Sequence, residues 1–285
     1  MNFVTIGDKK YFHMIDFSLK QIKKYYPDSE IILYDWGFDS GQAEHLEVKY
    51  GATVINWQGR IPDAKSLVSF KPTIKNFCKK YIFRWPDFRI NSERWNRELL
   101  LDEKCYCLLD ASIRASGQFL FLDGDAFIIN NIDEIIAAEY DIIVTLRPIQ
   151  EIKEAKKRGD RHDINSGVIY FGKYRLKTVS FIIEWIKEMQ LMNLIKFPLS
   201  EQTGLSELIL RHDHSAFSEH GKVINIRLSG QDIKCKIVPT DNYNYNSIEN
   251  GFNPAINRIL HLKKGRGFEI NFDNLVQEIN SKAIQ

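Results

Sequence analysis

The chain has 285 residues, of which 44% are hydrophobic and 27% charged, with 39 basic side chains against 37 acidic ones for a net charge of +2. That length covers one large domain or two of roughly 150 residues. It can bury a core without help from disulfides or metals, and the composition excludes disorder, collagen and coiled coil as whole-chain descriptions. The balanced charge excludes a dedicated nucleic-acid binder, which would carry a basic footprint across the domain.

Asn2–Ile6 reads as a strand, and Lys10–Tyr26 as a helix with Ile15, Leu19 and Ile22 on one face, closed by Pro27. Glu30–Tyr34 is a second strand, Ser40–Tyr50 a helix stopped by Gly51, and Ala52–Asn56 a third strand. Strands alternating with helices imply parallel pairing, because a parallel connection needs a crossover. Residues 65–116 read as mostly helical, interrupted near Trp85-Pro86. Within them, residues 71–104 hold nine Lys/Arg against five Asp/Glu, with Trp85, Phe88 and Trp95 interleaved. A solvated helical face is the plain reading; a patch facing an anionic acceptor or a membrane surface is the other. Phe119–Leu122, Asp141–Thr145 and Gly167–Phe171 are near-continuous apolar runs, as in strands buried on both faces. Arg147–Asp163, with Lys153, Lys156, Lys157 and Arg158, reads as a long polar loop of the kind that serves as a lid. Arg175–Met192 and Ser200–Arg211 follow as helices, then strands at Val223–Arg227, Cys235–Val238 and Arg258–Leu262, and a closing helix at Asp273–Lys282. The longest apolar run, Cys105–Leu109, is far short of the roughly 20 residues of a membrane span. The N-terminus reaches Asp8 too soon for a signal peptide. Cys78, Cys105, Cys107 and Cys235 form no C-x-x-C pair and read as core thiols in a reducing compartment.

The sharpest feature is Phe119-Leu-Phe-Leu-Asp123-Gly124-Asp125-Ala126-Phe127. Two carboxylates two residues apart fall on one side of an extended chain where a buried strand ends. Left alone they repel; a hard divalent cation such as Mg²⁺ or Mn²⁺ resolves the repulsion and keeps positions free for phosphate oxygens. A surface Asp-Gly turn is the plain alternative. Open α/β sheets bind ligands beyond the carboxyl ends of their strands, which is where this turn sits.

Phe119–Asp125 resembles the D-x-D signature of GT-A-fold glycosyltransferases, and the chain as a whole resembles glycosyltransferase family eight and its bacterial relatives. Val4-Thr5-Ile6-Gly7-Asp8 is similar to that family's first strand and turn, Asn165-Ser166-Gly167-Val168 to its Asn-Ser-Gly-Val stretch, Glu201-Gln202 to its acidic-Gln pair, and His261-Leu-Lys263-Lys264-Gly265 to its late His segment. The resemblance implies a mixed, mainly parallel α/β sheet of GT-A type spanning 1–285, with 1–130 as the nucleotide half and 131–285 as the acceptor half. It implies Asp123, Asp125 and His261 as ligands of Mn²⁺ or Mg²⁺, with Gly124 shaping the turn. Thr5, Gly7 and Asp8 would meet the base of a nucleotide-diphosphate sugar, a UDP-sugar first. Lys263, Lys264 and Arg266 would meet its phosphates. Asn165, Glu201 and Gln202 would orient the sugar while Gly167 lets the chain pass close; Glu201 is the candidate nucleophile on the sugar's β-face if retention takes that route rather than a front-face one, with Asp163 as a further candidate acid. The family carries Arg and Lys on the helix before the D-x-D strand; direct counting puts Tyr106 and Leu108 there, and Lys71, Lys104 and Arg114 are the candidates for the part.

The implied activity is metal-dependent, retaining transfer of a hexose to a carbohydrate hydroxyl, in cell-surface polysaccharide assembly. The expected place is the cytoplasm, with peripheral contact at the inner membrane face. Two alternatives stay open. A sugar nucleotidyltransferase would want a Gly-rich phosphate loop after the first strand, where Gly7-Asp8-Lys9-Lys10 stands instead. A non-catalytic sugar- or partner-binding protein would keep the fold without the reaction. Arg211-His212-Asp213-His214 reads as polar residues on the surface at a helix exit, Trp36, Trp57 and Trp185 as core or rim aromatics, and Tyr243 and Tyr245 as either sugar-stacking faces or plain loop.

Overall fold

The structure is a computed structural model and describes residues 1–58, 92–157, 163–194, 200–245, 253, 255–262 and 271–282. Strand β1 (Asn2–Gly7) is buried along its whole length, and β2 (Glu30–Asp35), β3 (Thr53–Asn56) and β4 (Phe119–Asp123) run parallel with it. The crossovers between them are helical: α1 (Phe12–Tyr25) and α2 (Ser40–Tyr50) early, and α3 (Ser92–Arg114) before β4. Gly51, at φ 64, ends α2 in the left-handed conformation that a side chain would resist.

Beyond β4 the sense of the sheet changes. After the short β5 (Ala126–Ile128) and α4 (Asp133–Ile136), β6 (Ile142–Leu146) lies antiparallel to β7 (Ile164–Phe171), which is also antiparallel to β4. Helices α6 (Arg175–Leu194) and α7 (Ser200–His212) follow, then β8 (Val223–Leu228) and β9 (Gln231–Pro239). Ser229 and Gly230, both at positive φ, join these two strands in a tight hairpin. The eight-stranded order is β3-β2-β1-β4-β7-β6-β9-β8, the mixed, mainly parallel sheet that was expected. After a single turn, α8 (Thr240–Tyr243), strand β10 (Ile259–His261) pairs not with the main sheet but with β5, and α9 (Phe272–Lys282) covers that pair through Leu275 and Ile279.

The polar stretch between β6 and β7 is not a plain loop. Residues Ile149–Lys157 form a helix, α5, with Ile152 buried beneath it. Among the described side chains Ile149 and Ile152 mark its inner face, too few to stand out from a lysine-rich run; residues 158–162 lie outside the described residues.

Two cores flank the sheet. Val4, Ile6, Phe121 and Ile169 face α3, α6 and α7, where Trp185 is fully buried. Phe3, Leu33, Leu122 and Tyr170 face α1 and α2, on the side that also takes Ile259 of β10. Each aliphatic or aromatic side chain buried there contributes roughly 1.5–3 kcal/mol, so both faces of the central strands are anchored, as their unbroken apolar runs require.

Candidate functional site

Asp123 is the last residue of β4 and stands in register with Ile6 of β1, so it emerges at the same end of the sheet as Gly7 and Asp8. Gly124 turns the chain beneath β1: a Cβ there would lie 2.7 Å from the Ile6 carbonyl oxygen. Asp125 follows, its carbonyl accepting from the Leu262 amide at 2.7 Å, and β5 then pairs Ala126 with His261. This pairing brings a histidine from the far end of the chain to the acidic turn. One ligand atom each from Asp123, Asp125 and His261 lie within 4.8 Å of one another. His261 Nε2 is 3.0 Å from Asp125 Oδ1 and 3.7 Å from Asp123 Oδ2.

The third wall is β7. Val144 of β6 pairs with Ile169, but its neighbour Thr145 pairs with Asn165, so the chain between makes an excursion out of the ladder. Ser166 and Gly167 lie on this excursion. A Cβ on Gly167 would stand 2.6 Å from His261 Nδ1 and 2.8 Å from Asp123 Oδ2, so glycine is the residue that lets His261 and Asp123 converge. Asn165, 2% exposed, holds the excursion by accepting from the Gly167 amide at 3.0 Å; its Nδ2 has no partner among the described residues.

Under the group, on the α3 side of the sheet, lies Lys104, 1% exposed. Its Nζ is 2.9 Å from Asp123 Oδ1, 3.2 Å from Ser166 Oγ and 3.6 Å from Glu201 Oε1. Burial works to neutralise this ammonium, but Asp123 and Glu201 outweigh it and hold its pKa above the ordinary lysine value. Glu201, fully buried in the first turn of α7, accepts from Ser166 Oγ at 3.0 Å and from the Gln202 amide. Burial pushes its carboxyl up, against the pull of Lys104. Three carboxyl groups thus meet one lysine ammonium and one imidazole, and two carboxylates with an imidazole are a donor set that takes a divalent cation.

The other predicted residues divide. Gly7 ends β1, packed against Ile15, and Asp8 caps the turn after it by accepting from the Lys10 amide at 2.8 Å. Thr5 is buried in mid-strand between Leu33 and Leu122, one turn of the pleat away from the sheet end. Gln202 accepts from Arg147 at 3.2 Å, and Asp163 pairs with Lys156 at 3.4 Å while burial raises its pKa. Arg114 is not brought to the group. It sits at the C-terminal end of α3, ten residues beyond the mid-helix Lys104, paired with Asp110 at 2.5 Å. Of the candidates for the missing helix cation, it is Lys104 that reaches Asp123. Lys71, Lys263, Lys264 and Arg266 lie outside the described residues. Tyr243 donates to Glu134 at 3.0 Å and Tyr245 hydrogen-bonds through its backbone to β10, so both serve the frame around His261. His212 and His214 join no metal-ligating cluster among the described residues. Asn244, which sequence reasoning passed over, accepts through its Oδ1 at 2.7 Å from His261 Nδ1; a loop of Asn and Tyr carries no periodic signal that would single it out.

A parallel sheet that reverses sense after its acidic turn, with a histidine strand closing over that turn, defines the GT-A-type fold. Among the solved structures similar to it are glycosyltransferases. The galactosyltransferase LgtC, solved with donor and acceptor sugar analogs, matches with a TM-score of 0.52 over 99% of this chain and 96% of that one, at 12% identity. The bifunctional glycosyltransferase WbbM matches at 0.54 over 99% of this chain and 50% of its own, at 9% identity. GlyE of Streptococcus pneumoniae matches at 0.52 over 98% and 60%, at 12% identity. At these identities the likeness is one of fold. No family model matches the sequence, and no curated protein matches it.

Proposed function

We propose that the protein is a metal-dependent glycosyltransferase that moves a hexose from a nucleotide-diphosphate sugar, a UDP-sugar first, to a carbohydrate hydroxyl with retention of configuration. The observation that carries this reading is the convergence of Asp123, Asp125 and His261 at the carboxyl end of β4, on a fold shared with solved glycosyltransferases. A divalent cation held by these three residues would supply Lewis-acid charge to the leaving diphosphate.

The chain's own residues do the rest. Lys104 holds Asp123 in place from below, and Gly167, having no side chain, lets Asp123 and the His261 ring close against it. Asn165 offers a buried amide donor for a sugar hydroxyl, and Gln202, steadied by Arg147, stands at the start of the adjoining helix. Lys263, Lys264 and Arg266 follow His261 closely enough in sequence to meet the phosphates. Glu201 is a positioning group in this scheme. It is fully buried and both its oxygens are engaged, which disfavours it as a nucleophile and favours a front-face route. In that route the anomeric C–O bond to phosphate breaks, the acceptor oxygen bonds to the same carbon, and its proton passes to the departing phosphate oxygen.

Calorimetric titration with UDP, with and without Mn²⁺, tests the reading, with Asp125→Ala beside the wild type. Metal-dependent binding that the variant loses is the expected result. Binding of GDP, CDP or dTDP in place of UDP would keep the site and replace the donor. Failure of every nucleoside diphosphate to bind would end the transferase reading and favour a non-catalytic binding protein.

A further inference from the structure

The hydrogen bonds behind His261 fix more than its position. Asn244 is fully buried at the end of α8, in a segment strapped to both sheets. On one side β9 pairs Val238 with Thr145; on the other, Tyr245 exchanges backbone hydrogen bonds with Ile259 and His261. The Asn244 amide meets three groups: the His261 ring at Nδ1 (2.7 Å), the Thr145 hydroxyl (2.7 Å) and the Asn165 main-chain carbonyl (3.4 Å).

A main-chain carbonyl only accepts. The amide edge facing the Asn165 carbonyl is therefore the NH₂ group, and the oxygen faces His261. An amide oxygen also only accepts, so His261 Nδ1 carries a proton, and in the neutral ring Nε2 is left with its lone pair. Nε2 is the atom that faces Asp123 and Asp125, 3.0 Å from Asp125 Oδ1, so without a cation the Asn244 oxygen and the Asp125 carboxylate compete for the neutral ring's proton. Thr145 closes the chain: its hydroxyl accepts from Asn244 and donates to the Asn165 carbonyl at 2.8 Å, which uses its single proton and blocks an amide flip.

Resting on the metal reading above, we infer that Asn244, keyed through Thr145 to the Asn165 carbonyl, is the positioning residue that locks His261 as the Nδ1–H tautomer and turns Nε2 to the cation. The geometry has a second implication. Asn165 is tied by its carbonyl to the histidine ligand and by its side chain to the Gly167 amide, so displacement of the β7 excursion reaches the metal ligand through two hydrogen bonds.

The test uses metal-free protein with ¹⁵N-labelled imidazoles, at a pH where His261 is neutral. Its signals are assigned among the seven histidines by their loss in His261→Gln. Long-range ¹H–¹⁵N correlation should place the proton on Nδ1 in the wild type. Asn244→Leu, similar in size but unable to hydrogen-bond, should lose that tautomer and bind Mn²⁺ about 10–100-fold more weakly without nucleotide. Asn244→Asp keeps an acceptor at Nδ1 and should restore the Nδ1–H signature, which a merely structural role would not do; it also serves if the Leu variant does not fold. A wild-type proton on Nε2, or an Asn244→Leu variant with unchanged tautomer and Mn²⁺ affinity, overturns the inference. A wild type that shows Nδ1–H but binds no Mn²⁺ supports the tautomer lock and overturns the metal reading instead.

Discussion

Replacing Lys104 by Met separates two effects that the buried cluster combines. The side chain keeps nearly its volume and its place over the Phe121 ring, from which Nζ now lies 5.4 Å. What is lost is the charge between Asp123 and Glu201. Glu201 is fully buried, so the change leaves it without its compensating cation, a situation that costs about 3–5 kcal/mol. Chemical denaturation of Lys104→Met should read a loss of that size, and Lys104→Met combined with Glu201→Gln should recover much of it. A single variant as stable as wild type would mean that Glu201 folds protonated and that Lys104 serves Asp123 alone. Lys104 was legible only as one of three cations near the right helix. Its burial depends on the approach of Ser166 and Glu201, which come from segments far away in sequence.

Among the elements, the crossing of α6 and α7 sets where Glu201 points. Gly204 of α7 lies against the α6 backbone, and a Cβ there would stand 2.7 Å from the Met189 nitrogen and 2.9 Å from its Cα. Alanine is the better helix former by roughly 1 kcal/mol, but backbone cannot yield as a side-chain tip can, and overpacking costs about 1–3 kcal/mol. Overpacking wins, so Gly204→Ala should lower the denaturation midpoint; a stabilised variant would show that the helices separate freely. The early strands and helices were legible because Val4, Ile6, Ile31 and Leu33 follow the strand period and Ile15, Leu19 and Ile22 the helical one. Gly167–Phe171 was read as a strand, but β7 begins at Ile164, beyond an excursion that local sequence does not announce. The Asp-Gly-Asp turn was legible because it interrupts two apolar runs. The Asn244–Thr145 relay was not, since it depends on β9 lying beside β6.

For the whole molecule, the site's ionisation sets a pH dependence with opposite signs in the metal-free and loaded states. Burial disfavours the His261 cation, but Asp125 and Asp123 outweigh it and hold its pKa above the ordinary 6.5. Burial likewise holds Glu201 above the ordinary 4.5. A pKa raised by folding means that the native state binds the proton more tightly. The stabilisation from His261 is thus complete below 6.5 and is lost as pH rises through its raised value; that from Glu201 follows the same sign from 4.5 upward. A cation needs the neutral imidazole, so a proton competes with it. The rise in Tm produced by Mn²⁺ should therefore grow between about pH 5 and 8. Thermal melts with and without Mn²⁺ across that range measure it, and a constant increment would remove His261 from the ligand set.

The register of β1 also sets a clock. Its second long edge pairs Asn2 with Phe119, so β4 must be synthesised before that edge is covered. At about 5–20 residues per second of synthesis, the interval is roughly 6–25 seconds. Once β2 has been made and paired on one side, this strand, destined for burial along its whole length, presents open hydrogen-bonding groups on the other, the arrangement through which nascent chains stick to one another. Slower growth in the cold lengthens the wait while weakening the hydrophobic attraction between exposed edges, so the yield of folded protein is decided by how long β1 waits for β4 as well as by the stability of the finished sheet.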